Sequence, residues 1–266
     1  MTYRSCAIIG CGNMAGAMLE GWLAGGLSGD AFTVVTPTRK SVPGAVELLR
    51  SVPEGRSFDA VLLGFKPHML PDIAPGLQSI CGPSTDVLSV LAGTRLNVLR
   101  RHFPAARSVV RVMPNLACAL GQSPVAVAEQ GMSETGRAGL IRFLEPFGQP
   151  EWVEEEQFDL VTALAGSGPA FVYRFIDALA AAAHDLGLPE QQAQRLAIAM
   201  TQGAASLAAA SDHAPPELAD RVASPGGVTR KGLDVLDKEE ALRRLINDTL
   251  RAARDRSAEM AREAER

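Results

Sequence analysis

Ile8-Ile9-Gly10-Cys11-Gly12-Asn13-Met14-Ala15-Gly16-Ala17 decides the fold of this chain. It closes a short apolar run at 5–9 and opens a segment at 13–24 long enough for three helical turns, so it reads as strand, turn and helix. Gly10 permits the tight turn and Gly12 lets the backbone approach a pyrophosphate, while a helix start offers unpaired N–H groups and a positive dipole end. The third glycine of such fingerprints falls at position 15, where Ala stands, a replacement the fingerprint tolerates. A glycine-rich match alone would also suit an ordinary strand-to-helix turn; the order of elements around it favours a dinucleotide site.

Outward from this loop, short β-branched runs alternate with helical patterns to about residue 150. The rhythm is that of βαβ units and a parallel sheet. Candidate strands are 5–9, 32–36, 60–64, 86–90, 108–113 and 123–128. After about residue 157 these runs stop and Ala-rich helical segments take over at 158–165, 169–186, 189–210 and 238–266. Gly187-Leu188-Pro189 reads as a helix stop and restart. The predicted fold class is an α/β N-terminal Rossmann domain with a mostly parallel sheet at 1–155, plus an all-α C-terminal dimerisation domain at 156–266. Small Ala and Gly faces suit close helix packing within one chain or against a second copy, and the reading favours a homodimer. The Arg- and Glu-dense end from Ala252 reads as a solvated helix end.

The 266 residues are 47% hydrophobic and 21% charged, a globular composition, with 26 Lys plus Arg against 30 Asp plus Glu. A net charge of −4 supplies no global field for nucleic acid or anionic lipid, so neither nucleic acid nor membrane is an expected partner. Any anion must be caught locally. Cysteines at 6, 11, 81 and 118 show neither C-x-x-C spacing nor a companion histidine cluster, so no metal and no disulfide framework is expected. Buried thiols suit a reducing, cytoplasmic compartment. No apolar stretch long enough to span a bilayer and no secretory cleavage pattern is legible.

Several other segments bear on chemistry. At the end of the second predicted strand, Val34-Val35-Thr36-Pro37-Thr38-Arg39-Lys40 lacks the acid that holds an NAD ribose. Thr36, Thr38, Arg39 and Lys40 offer donors and positive charge to a 2′-phosphate instead, favouring NADPH, with NADH as the alternative; an ordinary solvated basic loop is the plainer reading. Gly64-Phe65-Lys66-Pro67-His68 sits at the carboxyl end of a strand, where Lys66 can face a phosphate, a carboxamide or a substrate acid, or simply solvent. Gly166-Ser167-Gly168-Pro169 precedes a long helix. Ser224-Pro225-Gly226-Gly227-Val228-Thr229 leads into a short one, where adjacent glycines expose N–H groups suited to a carboxylate or form a plain interhelix connection.

Gly10-Cys11-Gly12-Asn13-Met14, Phe65-Lys66-Pro67, Arg111-Val112-Met113-Pro114-Asn115, Gly166-Ser167-Gly168-Pro169-Ala170 and Ser224-Pro225-Gly226-Gly227-Val228-Thr229 stand in the order and approximate spacing of pyrroline-5-carboxylate reductases. The chain resembles that family over essentially its whole length. The resemblance implies reduction of the cyclic imino acid 1-pyrroline-5-carboxylate to L-proline with NAD(P)H, the last step of proline biosynthesis. It also implies a homodimer or a ring of dimers. Carried over by position, cofactor phosphates fall on Ile9, Gly10, Cys11, Gly12, Asn13 and Met14, with the adenosine phosphate near Thr36, Thr38 and Arg39. The nicotinamide side falls near Phe65, Lys66, Pro67, Ala92 and Gly93. The substrate falls on Glu155, Ser224, Gly226, Gly227, Val228 and Thr229, with Thr229 and Lys66 as the catalytic candidates.

This chain departs from the family pattern in a short 39–59 segment lacking the Asn that commonly holds the adenosine ribose, and in Leu116, Val228 and Lys231. The alternatives are a reductase of a related cyclic imine, a β-hydroxyacid-dehydrogenase-like enzyme and an inactive NADP-binding regulator. The second would carry Lys four residues beyond Gly168, where Val172 stands, and retention of 224–229 argues against the third.

Overall fold

The computed structural model describes residues 3–38 and 41–264. It divides into two compact units, Met1–Ser167 with Ala252–Arg266, and Gly168–Arg251. The first unit is built from β1 (Cys6–Ile9), α1 (Asn13–Ala24), β2 (Phe32–Val35), β3 (Glu47–Leu49), β4 (Ala60–Leu63), α2 (Leu70–Ile73), β5 (Asp86–Ser89), α3 (Leu96–His102), β6 (Ser108–Met113), β7 (Ser123–Gln130), α4 (Glu134–Leu144), β8 (Gly148–Trp152) and α5 (Phe158–Val161).

Among the described residues the strands form one eight-stranded sheet, ordered β3-β2-β1-β4-β5-β6-β7-β8. Only β7 against β6 is antiparallel. The first six strands follow the doubly wound dinucleotide-binding order, which reverses between β1 and β4; ligands of such sheets collect at the carboxyl ends there. Every residue of β1, β2, β4 and β5 is buried, as continuous apolar runs covered on both faces require. The expected α/β class and each of the predicted strands are present; β3 and β8 are additional.

On one face of the sheet Trp22 of α1 stacks on Phe32 and Phe143, at centroid distances of 5.1 and 4.7 Å, and its Nε1 donates to Phe143 O at 2.7 Å. On the other face Leu70, Leu77, Leu99 and Phe103 pack against the alternate strand residues Val61, Leu63, Val87 and Val109. Asp86, 1% exposed, ties the sheet at its amino ends. Its carboxylate accepts from Tyr3 Oη at 2.6 Å, Arg107 Nε at 2.8 Å and Ser108 Oγ at 2.6 Å. Burial and the adjacent Asp86 charge push the Tyr3 phenol above its ordinary range, so it remains a donor at any working pH.

The second unit is helical: α6 (Gly168–Asp185), α7 (Glu190–Ala210), α8 (Pro215–Val222), α9 (Val228–Asp237) and the first part of α10 (Ala241–Ala264). Ala180, Ala193 and Ala197 are buried where α6 meets α7, so small side chains set that close packing. Gly187 takes φ +108 at the break between the two helices, the stop expected there. No helix among the described residues is long and apolar enough to cross a membrane.

Three expected features differ. The helix read over 158–165 is α only to Val161 and widens into a π turn at Thr162–Gly166. The helix read from Lys238 breaks at Glu239 and Glu240, both at positive φ, before α10 begins. The segment from Ala252 is not solvated all round. Ser257 and Ala261 are buried, and Ser257 Oγ donates to Asp159 Oδ1 at 2.7 Å, because one small-residue stripe at this end of the charged helix packs inside the first unit.

Removing Asp86 leaves three donors without their acceptor, two of them buried. Asp86→Ala should therefore lower the unfolding free energy by about 3 kcal/mol and Tyr3→Phe by about 1–2 kcal/mol. Urea unfolding followed through tryptophan fluorescence checks this, and a loss below about 0.5 kcal/mol in Asp86→Ala would show that the network contributes nothing.

Candidate active site

Gly10 leaves β1 at φ +78 with its N–H donating to Val35 O at 2.9 Å, and Gly64 at the end of β4 donates to Ile9 O at 2.8 Å. These two turns touch at the switch point of the sheet. A Cβ at position 64 would stand 2.7 Å from both Ala15 Cβ and Gly10 O, and one at position 10 would stand 3.1 Å from Gly64 O. The Ala in place of the third fingerprint glycine is thus accommodated because its neighbour on β4 is Gly64.

α1 opens on Gly12, whose extended backbone carries no side-chain cap, and no acid occupies the first turn. The first N–H groups of the helix therefore face outward with the positive end of its dipole. Nothing lies within 4 Å of a Cβ built on exposed Gly12, so the loop leaves an open cradle beside those donors. Cys11 and Met14 are half-buried and Asn13 is exposed. The cradle fits a pyrophosphate.

At the end of β2, Thr36 is buried and Thr38 exposed, with their hydroxyl oxygens 3.4 Å apart. Arg39 and Lys40 lie outside the described residues. Arg50, just past β3, directs NH1 to Pro37 O at 2.9 Å, a placement that no local sequence pattern announced. Glu47 of β3 is turned to Thr33 Oγ1 at 2.9 Å and to Arg56, whose guanidinium holds its carboxyl below the usual range.

Phe65 packs into the core below the sheet edge, Lys66 is exposed, and Pro67 begins a turn of 3₁₀ helix. Beyond β5, Ala92 is half-buried and Gly93 takes φ +70. A Cβ at position 93 would stand 3.0 Å from the carbonyl carbon of Met260, so the last turns of α10 back this loop.

The Arg111-to-Asn115 motif ends β6 and acts as a scaffold. Arg111 lies 3.8 Å over the Phe158 ring and donates to Glu155 Oε1 at 2.7 Å; burial pushes its pKa down and the Glu155 charge counteracts this. Asn115 Nδ2 donates to Ala165 O at 3.0 Å and its Oδ1 accepts from Ala117 N at 2.9 Å. Glu155 Oε1 also accepts from Leu96 N at 3.2 Å, whereas buried Oε2 has no hydrogen-bond partner among the described residues. The carboxylate at this position is therefore half committed to holding α3 and β6 together.

In the second unit, Gly226 takes φ +69 and Gly227 N donates to Ser224 O at 2.9 Å, closing a turn that delivers the chain into α9. Gly227 caps α9 without a side-chain hydrogen bond, and its first turn holds no acid. Ser224, Val228 and Thr229 are exposed around the unpaired N–H groups of this helix start. Arg230 is engaged by Asp220 at 2.6 Å, which links α8 to α9 across the base of the loop. Gly226, Gly227, Val228 and Thr229 thus make one turn at an uncapped helix start, a geometry suited to an anion.

A phosphate cradle at the switch point of a doubly wound sheet, followed by a helical unit, defines a two-part dinucleotide-binding protein of the Rossmann class. The description "Pyrroline-5-carboxylate reductase dimerisation" matches residues 155–260. Pyrroline-5-carboxylate reductase 2 of Bacillus subtilis is 33% identical over 97% of this chain and 95% of its own length. The Pseudomonas aeruginosa pyrroline-5-carboxylate reductase is 32% identical over 98% of both. A solved pyrroline-5-carboxylate reductase from Coxiella burnetii superposes with TM-score 0.88 at 26% identity, covering 98% of this chain and 99% of that one. The chain belongs to the pyrroline-5-carboxylate reductase family.

The two glycines of the cradle predict different outcomes. Gly12→Ala fits the space around it at negative φ and only weakens the helix N-cap, so its melting temperature should fall by no more than about 3 °C while NADPH affinity falls about 10-fold or more. Gly64→Ala drives a methyl into the Gly10 backbone and should lower both. Calorimetric titration beside thermal melts checks the pair, and normal NADPH affinity in Gly12→Ala would remove the cradle from cofactor binding.

Proposed function

We propose that this chain reduces 1-pyrroline-5-carboxylate to L-proline, the last step of proline biosynthesis, with NADPH as the favoured electron source and NADH as the alternative. The observation that carries the reading is the turn at 224–229. Two glycines there deliver the chain into an uncapped helix start in a family member whose relatives bear the name of this reaction.

Residues 1–155 serve as the NADP-binding domain and 156–266 as the helical dimerisation and substrate domain. Bound NADPH supplies the hydride that the imine carbon receives. The chain's own contribution is mainly positioning, because the reacting rings must meet at near-attack distance with water excluded. Gly226, Gly227 and Val228 hold the imino-acid carboxylate through backbone N–H groups, which fixes the ring face presented. Ser224 borders the same turn, and Glu155 is the further candidate on the substrate side. Lys66 brings positive charge to the sheet edge shared with Phe65, Pro67, Ala92 and Gly93. The imine nitrogen becomes an amine, and the Thr229 hydroxyl is its hydrogen-bond partner. A free hydroxyl is a poor acid at neutral pH, so Thr229 orients the nitrogen or relays a proton from water.

The assembly is a homodimer or a ring of dimers. Tyr173, Leu207 and Leu245 of the second unit are 67%, 61% and 64% exposed, an apolar surface that a second copy would cover. A cytoplasmic setting is supported by four cysteines that are all free thiols, three of them buried.

NADPH oxidation in the presence of the imine tests the reaction. Thr229→Ala should lower turnover roughly 10- to 1000-fold while NADPH binding stays nearly unchanged. Wild-type turnover in that variant would remove Thr229 from the mechanism, and no imine-dependent oxidation by the unmutated chain would overturn the reading.

A further inference from the structure

We propose that the end of α10 holds the 91–94 loop in place against the nicotinamide of the bound dinucleotide, with Ser257 and Ala261 as positioning residues for hydride transfer; this rests on the functional reading above. β4, β5 and β6 form the second mononucleotide half of the doubly wound sheet, so the loop that leaves β5 borders the nicotinamide end of the crevice. That loop has few means of holding itself. Thr94 N donates to Leu91 O at 3.2 Å and Leu91 N donates to Ser89 Oγ at 3.2 Å, but Ala92 and Gly93 bring no anchoring side chain. The buried Thr94 hydroxyl has no hydrogen-bond partner among the described residues.

The backing comes from α10. Gly93 is buried at φ +70, and the three atoms nearest to a Cβ built on it, its chain neighbours aside, belong to Met260 and Ala261 at 3.0 to 3.1 Å. Helix and loop therefore meet almost backbone to backbone, and a shift of one moves the other. Ala261 is 0% exposed, so only a small side chain permits that approach. One turn earlier on the same face, Ser257 Oγ donates to Asp159 Oδ1 at 2.7 Å, which sets the rotation and depth of the helix end against α5.

The flank of α5 also fixes the far end of the loop. Glu155, four residues before Asp159, accepts from Leu96 N at 3.2 Å and from Arg111 at 2.7 Å, and the Arg111 guanidinium lies 3.8 Å over the Phe158 ring. The loop is thus held at Leu96 from the α5 side and at Gly93 from α10, and the Ser257–Asp159 bond ties these two supports together. The exposed charges of the helix end pair among themselves, Arg254 with Asp255 and Arg256 with Glu259. Hydride transfer is steep in donor–acceptor geometry: a displacement of about 1 Å can cost about 100-fold in rate while the groups that bind the adenosine half are untouched.

The test compares the full-length unmutated chain with Ser257→Ala and Ala261→Leu in two assays. One is calorimetric titration with 2′,5′-ADP, which lacks the nicotinamide; the other is turnover with 1-pyrroline-5-carboxylate and NADPH or its C4-deuterated form. Turnover is expressed per 2′,5′-ADP-binding site, which removes any unfolded fraction. Ser257→Ala should lower kcat about 3- to 10-fold and Ala261→Leu about 10- to 100-fold, with 2′,5′-ADP affinity within about twofold and the deuterium isotope effect on kcat retained or enlarged. Unchanged turnover per site in both variants, a loss of 2′,5′-ADP affinity equal to the loss of turnover, or an abolished isotope effect would show that α10 only packs there. Each of these overturns the assignment and leaves the reaction intact. Absence of imine-dependent NADPH oxidation by the unmutated chain would overturn the functional reading and this assignment together.

Discussion

The contact between the first and fourth strands' carboxyl ends is the constraint on which the nucleotide side of the molecule depends. A side chain at Gly64 would collide with Gly10 O and Ala15, Gly10 is held at φ +78 where an L side chain is strained, and the methyl of Ala15 occupies the space Gly64 leaves. That approach sets where α1 begins, and therefore where its unpaired N–H groups point. It also fixes Phe65, Lys66 and Pro67 beside the cradle, since they follow Gly64 directly. A larger residue at either glycine would move the anion site and the neighbouring turn together.

The overall charge of −4 offers an anion no general attraction, so local backbone donors carry the proposed anion sites. Two glycine turns, one at Gly10–Gly12 and one at Gly226–Gly227, repeat the same geometry in different units. Each delivers the backbone into a helix with no side-chain cap and no acid in its first turn. Cations near the second turn are balanced by Asp220 and Asp234, which leaves the peptide N–H groups as the acceptor-specific feature. Such donors are fixed by the fold and cost no reorganisation when charge arrives.

The parts legible in the sequence are those where a local pattern and a long-range role coincide. The 13–24 helix and the six central or flanking strands are continuous apolar or periodic segments, and the switch-point loop announces itself by its glycines. β3 did not, because three residues at a sheet edge, Glu47-Leu48-Leu49, carry too short a run to show any period. β8 contains Gly148, Pro150 and Glu151 and is recognisable only from its pairing with β7. The docked end of α10 was hidden by composition, since two small residues, Ser257 and Ala261, make the buried stripe of a helix otherwise dense in Arg and Glu. The roles of Arg111 and Asn115 were visible as a motif but not as physics, because both act through backbone and carboxylate partners that only the fold brings near.

Isotope transfer tests the central claim most directly. The full-length protein incubated with 1-pyrroline-5-carboxylate and NADPH bearing deuterium at C4 of the nicotinamide, each stereoisomer in turn, should yield L-proline carrying one deuterium at ring C5 from one isomer and none from the other. Proline formed without label from either isomer, or no proline at all, would contradict the account.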